Sequence, residues 1–319
     1  MYANSPPAHF NERRYFAWND WVKRTHGGRI QKVSLDAGFT CPNRDGKLGR
    51  GGCSFCNNAA FTPSYLAGTR ELHAQLATGI AFMQHRYTGT TRYLAYFQAY
   101  SNTYADLAEL KALYAQALSH PGISGLAIGT RPDCLPDAVL DHLAELARDH
   151  MIELEIGIES CDDNVLAECR RGHDFACSVD AIERAASRGL QITAHMLFGL
   201  PGETRASVQT GARKLGALPL AAIKFHQLQI VRGTRLAMEW KRQPGSIALL
   251  SLDEYLDWIV DTLEYLPDSV RVQRLGSDVP PTQRVLPERG DRQLDLPAQL
   301  SARLSARGTW QGRLHGASS

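Results

Sequence analysis

The sequence predicts an α/β fold built on parallel strands. Three observations carry this. Short runs rich in β-branched and aromatic residues alternate with longer amphipathic segments from residue 30 to residue 230. Polar or glycine-rich signals follow five of these runs at the position where a strand would end. No internal repeat or low-complexity linker interrupts the alternation. Strand-then-helix order implies parallel strands joined by right-handed crossovers. An open doubly wound sheet and a partial barrel both fit it.

Residues 1–29 read as an irregular leader, in which Trp18, Trp21 and Val22 mark a short helix. Ile30–Leu35 is the expected first strand. Thr69 caps a helix through Leu72, Leu76, Ile80 and Met83, whose spacing of three to four is helical. Arg92–Ala99 is the second strand, followed by a helix with Leu107, Leu110, Tyr114 and Leu118 on one face. The pattern repeats with strands near 126–129, 152–158, 190–198 and 222–230. Helices are expected over 136–149, 175–187 and 203–218. A helix over 252–266, a short strand over 270–275 and an Arg/Pro-rich tail complete the chain. The expected division is a leader (1–29), a core (30–235) and a C-terminal elaboration (236–319).

Cys41-x11-Cys53-x2-Cys56 sits on a glycine-rich loop directly after the first strand. Such a loop has no strand or helix period of its own, so a bound ligand is expected to order it. Three thiolates leave a four-coordinate centre one ligand short. Structural zinc sites are closed by four protein ligands, whereas catalytic centres keep a position open. Three readings follow. The first is zinc, with His73 or a distant cysteine as fourth ligand, and the second is three unrelated thiols. The third is a [4Fe–4S] cluster whose open iron binds S-adenosylmethionine (SAM). Radical SAM enzymes carry a CxxxCxΦC loop in this place, with Φ aromatic. Cys53-Ser54-Phe55-Cys56 keeps the aromatic at Phe55, although the first spacing is longer.

Side chains alternate faces along a strand. Glu153, Glu155, Gly157 and Glu159 therefore share one face of the fourth strand, opposite Leu154, Ile156 and Ile158. Unpaired acids are costly to bury, so these should face a polar cavity and meet a ligand diol or amine. Ser160 closes that strand. His195 on the fifth strand and Lys224 and His226 on the sixth aim at the same end. Histidine suits proton transfer near neutral pH. Cys134, Cys161, Cys169 and Cys177 match no cluster spacing and read as buried or incidental thiols. Cys177 is the better candidate for a hydrogen-atom donor or covalent anchor.

Bulk properties exclude some classes. At 44% hydrophobic and 21% charged, the 319 residues can fill a globular core. No apolar run approaches membrane-spanning length. Seven cysteines, with no secretion signal, fit a reducing cytoplasm rather than a disulfide framework. Net charge is only +2, yet residues 1–70 hold ten Lys/Arg against four acids, an electrostatic footprint compatible with phosphate.

The segments GFTCPNRDGKLGRGGCSFCN, YLAYFQAYSNTYA, GTRPDCLPD, ELEIGIES, RRGHDFAC, HMLFGLPGET and IKFHQLQIVRGT resemble the YhcC/YtqA-like family. This is a branch of radical SAM proteins related to the elongator catalytic subunit. The resemblance covers about Arg13 to Leu275. It implies a partial (β/α)6 radical SAM barrel with a C-terminal extension, a [4Fe–4S] cluster and SAM as cofactors, and an electron donor such as flavodoxin or ferredoxin. By resemblance, Cys41, Cys53 and Cys56 ligate the cluster. Gln98 and Ser101 meet the SAM amino group, Arg131 its carboxylate and Glu159 its ribose. The family's APxW-type segment is replaced here by Val285-Leu286-Pro287-Glu288-Arg289, which leaves the substrate open. Related proteins modify the tRNA wobble uridine, so tRNA is one expected partner; a small metabolite or peptide is the alternative. A zinc-dependent nucleic-acid-binding module without catalysis is the rival of another class. It would need the same thiols but none of the strand-end motifs.

Overall fold

β-branched and aromatic runs become seven parallel strands in one sheet, and the curl of that sheet sets where the site lies. The structure is a computed structural model and describes residues 5–66, 69–276, 279–287 and 295–316. Strands β1 (Arg29–Leu35), β2 (Thr90–Phe97), β3 (Ile123–Thr130), β4 (Met151–Glu159), β5 (Gln191–Phe198) and β6 (Ala222–Gln227) lie side by side in chain order. β7 (Ile230–Val231) leaves this sheet, and β8 (Arg271–Arg274) pairs in parallel with β6 as its seventh strand. β7 instead pairs antiparallel with β9 (Arg284–Leu286). The sheet is a curled half-barrel, the partial barrel rather than the open doubly wound sheet.

The helices cover the convex face. Leu154, Ile156 and Ile158 of β4 are fully buried there, as their alternation requires, with Leu126 and Ile128 of β3 and Ile192 and Ala194 of β5. Each such aliphatic side chain contributes about 1.5–3 kcal/mol on burial. Packing is close where helix and strand meet: a Cβ on Gly79, in the helix Leu72–Arg86, would lie 2.3 Å from Val33 Cγ1.

Several boundaries differ from expectation. Glu71, not Thr69, caps the helix Leu72–Arg86, its carboxylate accepting from the His73 and Ala74 N–H groups. The helix expected over 136–149 spans Asp137–Leu146, with Pro136 as its N-cap. β6 ends at Gln227, before the expected Ile230, because the chain turns out to pair with β9. The short helices Asp163–Glu168 and Arg235–Arg242 carry too few turns for their periodicity to stand out. The N-terminal segment is anchored rather than irregular: Phe10 and Tyr15 are buried, and Phe16 accepts a 2.7 Å hydrogen bond from the Val272 N–H. Buried Gln311 ties the tail back, accepting from the Phe16 N–H and donating to Pro267 and Val270. Of the divergent segment, Glu288 and Arg289 lie outside the described residues. Among the described residues no helix is long and apolar enough to cross a membrane.

Candidate functional site

The cysteine loop leaves β1 and folds on its own hydrogen bonds. Cys41 is extended and Pro42 opens a single helical turn, Pro42–Asp45. Gly51 and Gly52 take φ of 87° and 84°, and a Cβ on Gly52 would lie 2.9 Å from Arg44 Nη1. Asn43 Nδ2 donates to the Arg170 carbonyl at 2.6 Å and to Cys53 Sγ at 3.5 Å. The Ser54 N–H reaches the Cys169 carbonyl, and the Leu236 N–H reaches that of Ser54. The expectation that a ligand alone orders this loop is therefore corrected: protein contacts already hold it.

Cys41, Cys53, Phe55 and Cys56 line one cavity of about 270 Å³ at the C-terminal ends of the strands. Buried Arg171 donates from Nη1 to Cys53 Sγ at 3.6 Å and from Nη2 to the Gly157 carbonyl at 2.6 Å. Burial and the neighbouring Cys53 push the Cys56 pKa up to about 12. Among the described residues no three His, Cys, Asp or Glu side chains converge closely enough to share a single metal ion. Three thiols on one cavity wall are soft donors of the kind an iron–sulfur cluster takes. His73, the suggested fourth zinc ligand, is bonded instead to the Gln116 carbonyl at 2.8 Å.

Gln98, Ser101, Arg131, Glu155 and Glu159 line the same cavity. Arg131 grips Asp133 through Nε (2.8 Å) and Nη2 (2.7 Å), while its buried Nη1 has no hydrogen-bond partner among the described residues. A guanidinium N–H left over in this way suits a ligand carboxylate. Gln98 Oε1 is fixed by the Ser34 hydroxyl at 2.8 Å. Glu159 follows a register shift in β4 and has φ 69°, a left-handed conformation that only surrounding structure sustains. A Cβ on Gly157 would lie 2.8 Å from Glu159 Oε1 and 2.7 Å from Arg171 Nη2, so glycine keeps both groups in place.

On the cavity wall, side chains from four other strands converge on Glu155. Its Oε1 accepts from Lys32 Nζ and Lys224 Nζ, each at 2.5 Å. Its Oε2 accepts from the Tyr96 hydroxyl at 2.6 Å and from His195 Nε2 at 2.8 Å. Glu153 pairs with Lys32 at 2.8 Å and accepts from Thr193 and Gln273. Burial alone would raise the Glu155 pKa, but Lys224, Lys32 and His195 overcome it and hold the carboxyl well below its usual range. Burial pushes Lys224 down to about 7 against the pull of Glu155. His195 is lowered by burial and by Lys224, and His226 is lowered further by burial and by His195. Both imidazoles are therefore neutral at pH 7. His195 offers Nδ1 as an acceptor because Nε2 holds its proton toward a carboxylate. The two rings lie 5.6 Å apart, and both line the cavity.

The expected ligand partners of the β4 acids are thus corrected for Glu153 and Glu155: lysines, tyrosine, histidine, threonine and glutamine surround them. Ser160 does not line the cavity; its hydroxyl donates to Glu203 at 3.2 Å. Cys177 does not line it either; it sits at the start of the helix Phe175–Ser187, where burial and Asp133 raise its pKa. Cys134, Cys161 and Cys169 are buried thiols, as expected. Lys224 lies beneath the lining, behind Glu155. The sequence reading missed Lys32, Asn43, Tyr96, Arg171 and Arg274, of which all but Lys32 and Asn43 line the cavity. Lys32 carried a signal, since it falls on the same face of β1 as Ser34.

The matched family models define the class. The radical SAM superfamily matches residues 41–215, and the radical SAM C-terminal domain matches 220–304. Protein YhcC of Escherichia coli K12 is 38% identical over 257 residues, 80% of this chain and 81% of its own. The uncharacterized protein YtqA of Bacillus subtilis is 32% identical over 314 residues, 98% of this chain and 97% of its own. The chain belongs to the radical SAM superfamily, in its YhcC- and YtqA-like group, and is a radical SAM enzyme; the family uses a [4Fe–4S] cluster and SAM. A tRNA uridine(34) acetyltransferase of Methanocaldococcus infernus is 25% identical over 160 residues, 49% of this chain and 29% of its own. The fold matches the solved Elp3 of Methanocaldococcus infernus with a TM-score of 0.66 at 17% identity, over 88% of this chain and 64% of that one.

Proposed function

We propose that Cys41, Cys53 and Cys56 hold the cluster, that SAM occupies the adjoining cavity, and that the enzyme modifies the wobble uridine of tRNA in the cytoplasm. The observation that carries the site assignment is that three loop thiols and a guanidinium with a free N–H line one cavity. When bound, the cluster and SAM would supply radical chemistry at an unreactive C–H bond of the substrate.

The chain's own residues bind and orient. Arg131 Nη1 would take the SAM carboxylate, Gln98 and Ser101 its amino group and Glu159 its ribose, with Phe55 on the same cavity wall. Arg171 holds positive charge beside Cys53 and fixes the Gly157 carbonyl. His195 and His226 present neutral imidazoles to the remaining space, where they can accept a proton from substrate. Glu155, locked by two lysines, keeps His195 in one tautomer. One-electron reduction requires a donor of the flavodoxin or ferredoxin kind. The tRNA reading is supported by the partial likeness to a tRNA uridine(34) acetyltransferase and by the basic N-terminal stretch. Nucleoside profiles of total tRNA from cells with and without the gene test it. A changed wobble uridine is expected, and identical profiles would remove the RNA assignment.

A further inference from the structure

Cluster ligation does not explain the eleven residues between Cys41 and Cys53. Resting on the RNA reading above, we propose that this segment is a docking arm for the phosphates of the RNA substrate, with Lys47 and Arg50 as its contacts. The arm is a built hairpin. The Gly46 N–H bonds to the Gly49 carbonyl at 3.1 Å, and the Leu48 N–H to that of Pro42 at 2.8 Å. A bridge joins Asp45 to Arg50, and the Gly52 N–H closes on the Asn43 carbonyl at 2.8 Å. Its base lines the cavity with Arg44 and Gly52. Its tip is solvent-exposed at Lys47, Leu48 and Arg50.

The charge on the arm is unbalanced. Arg44, Lys47 and Arg50 face one acid within the hairpin, Asp45, whose carboxylate accepts from the Lys47 backbone N–H. Arg170, exposed, stands beside the arm and is bound to it through Asn43. The nearest acids along that neighbouring segment are Glu168 and Asp174. Neither Lys47 nor Arg50 makes an ion pair among the described residues. Aromatic rings brace the cations: Arg44 lies 5.6 Å over Tyr100 and Lys47 lies 5.3 Å over Tyr104. Tyr100 holds φ 66°, an uncommon conformation for a bulky residue, at the cavity rim. A cationic arm with an excess of positive charge that starts at the cavity mouth suits a polyanion whose reacting base enters that mouth.

The test measures binding of a fluorescently labelled, unmodified tRNA transcript with wobble uridine to the reconstituted protein across a salt series. Wild type is compared with the double variant Lys47→Gln, Arg50→Gln, using iron content and melting temperature as fold controls. The expected result is at least a tenfold loss of affinity at ~0.1 M salt and a salt slope shallower by ~2, about one per lost phosphate contact. If wild type itself fails to bind the transcript, the RNA reading falls and the arm assignment with it. If wild type binds and the variant matches it in affinity and slope, the arm assignment is overturned while the RNA reading stands. If the variant binds tRNA normally but is reduced more slowly by flavodoxin, the arm serves the electron donor and the proposal is wrong.

Discussion

Lys224 Nζ lies 2.5 Å from Glu155 Oε1, both side chains buried, with Lys224 behind the glutamate that lines the cavity. Lys32 reaches the same oxygen from the far strand at the same distance. One carboxylate thus ties β1, β4 and β6 together across the concave face. Replacing it with an amide removes the carboxylate that offsets the burial of Lys224, already pushed down to about 7, and leaves Lys32 with Glu153 alone. Breaking such a buried pair costs about 3–5 kcal/mol. Glu155→Gln should therefore lower stability in urea by that order. A loss below about 1 kcal/mol would show that the lysines do not depend on this partner.

Glu203 gives a pH signature. Burial raises its carboxyl to about 7 despite hydrogen bonds from the Gly199 N–H and the Ser160 hydroxyl. The folded pKa lies above the unfolded one, so the folded chain binds the extra proton. Stability contributed by this group is fully present below about pH 4.5 and is lost as pH rises through 7, by about 3 kcal/mol at most. Gln stands in for the protonated acid. Glu203→Gln should match wild type near pH 4.5 and exceed it at pH 8, as read by melting temperature. A constant difference across this range would contradict the buried carboxyl.

Arg171 carries a prediction about the metal. Its guanidinium touches Cys53 Sγ and sits behind the loop. Arg171→Met should retain severalfold less iron after anaerobic reconstitution, and Arg171→Lys should keep more than Met because it preserves the charge. Equal iron in all three proteins would reduce Arg171 to a packing role.

His226 separates the two halves of the reaction. His226→Ala should still cleave SAM under reductant but lose the modified product. Undiminished product formation would remove His226 from the substrate site.

Much of this was legible because strand and helix periods are local. The parity argument on β4 found the aliphatic outer face and the acidic inner one from nine residues. It failed at the partner of Glu155, because Lys32 and Lys224 are 123 and 69 residues away in sequence and only strand order brings them in. Parity does not place Ser160 on that face, and its position past the end of β4 turns its hydroxyl to Glu203. Cys177 looked reactive by its neighbours in sequence, but its helix starts outside the cavity. β8 was read as a short strand, and its joining of the main sheet depends on packing that no local pattern encodes. The cysteine loop was found from spacing alone, whereas the hydrogen bonds that pre-form it, through Asn43 and Leu236, involve segments far along the chain.

Anaerobic reconstitution of wild type and Cys53→Ala, followed by assay of 5′-deoxyadenosine from SAM under dithionite, tests the central assignment most directly. The account predicts a brown wild-type protein with about four irons per chain that releases 5′-deoxyadenosine, and a Cys53→Ala protein that releases none. A colourless wild-type protein that holds one zinc and leaves SAM intact would contradict it.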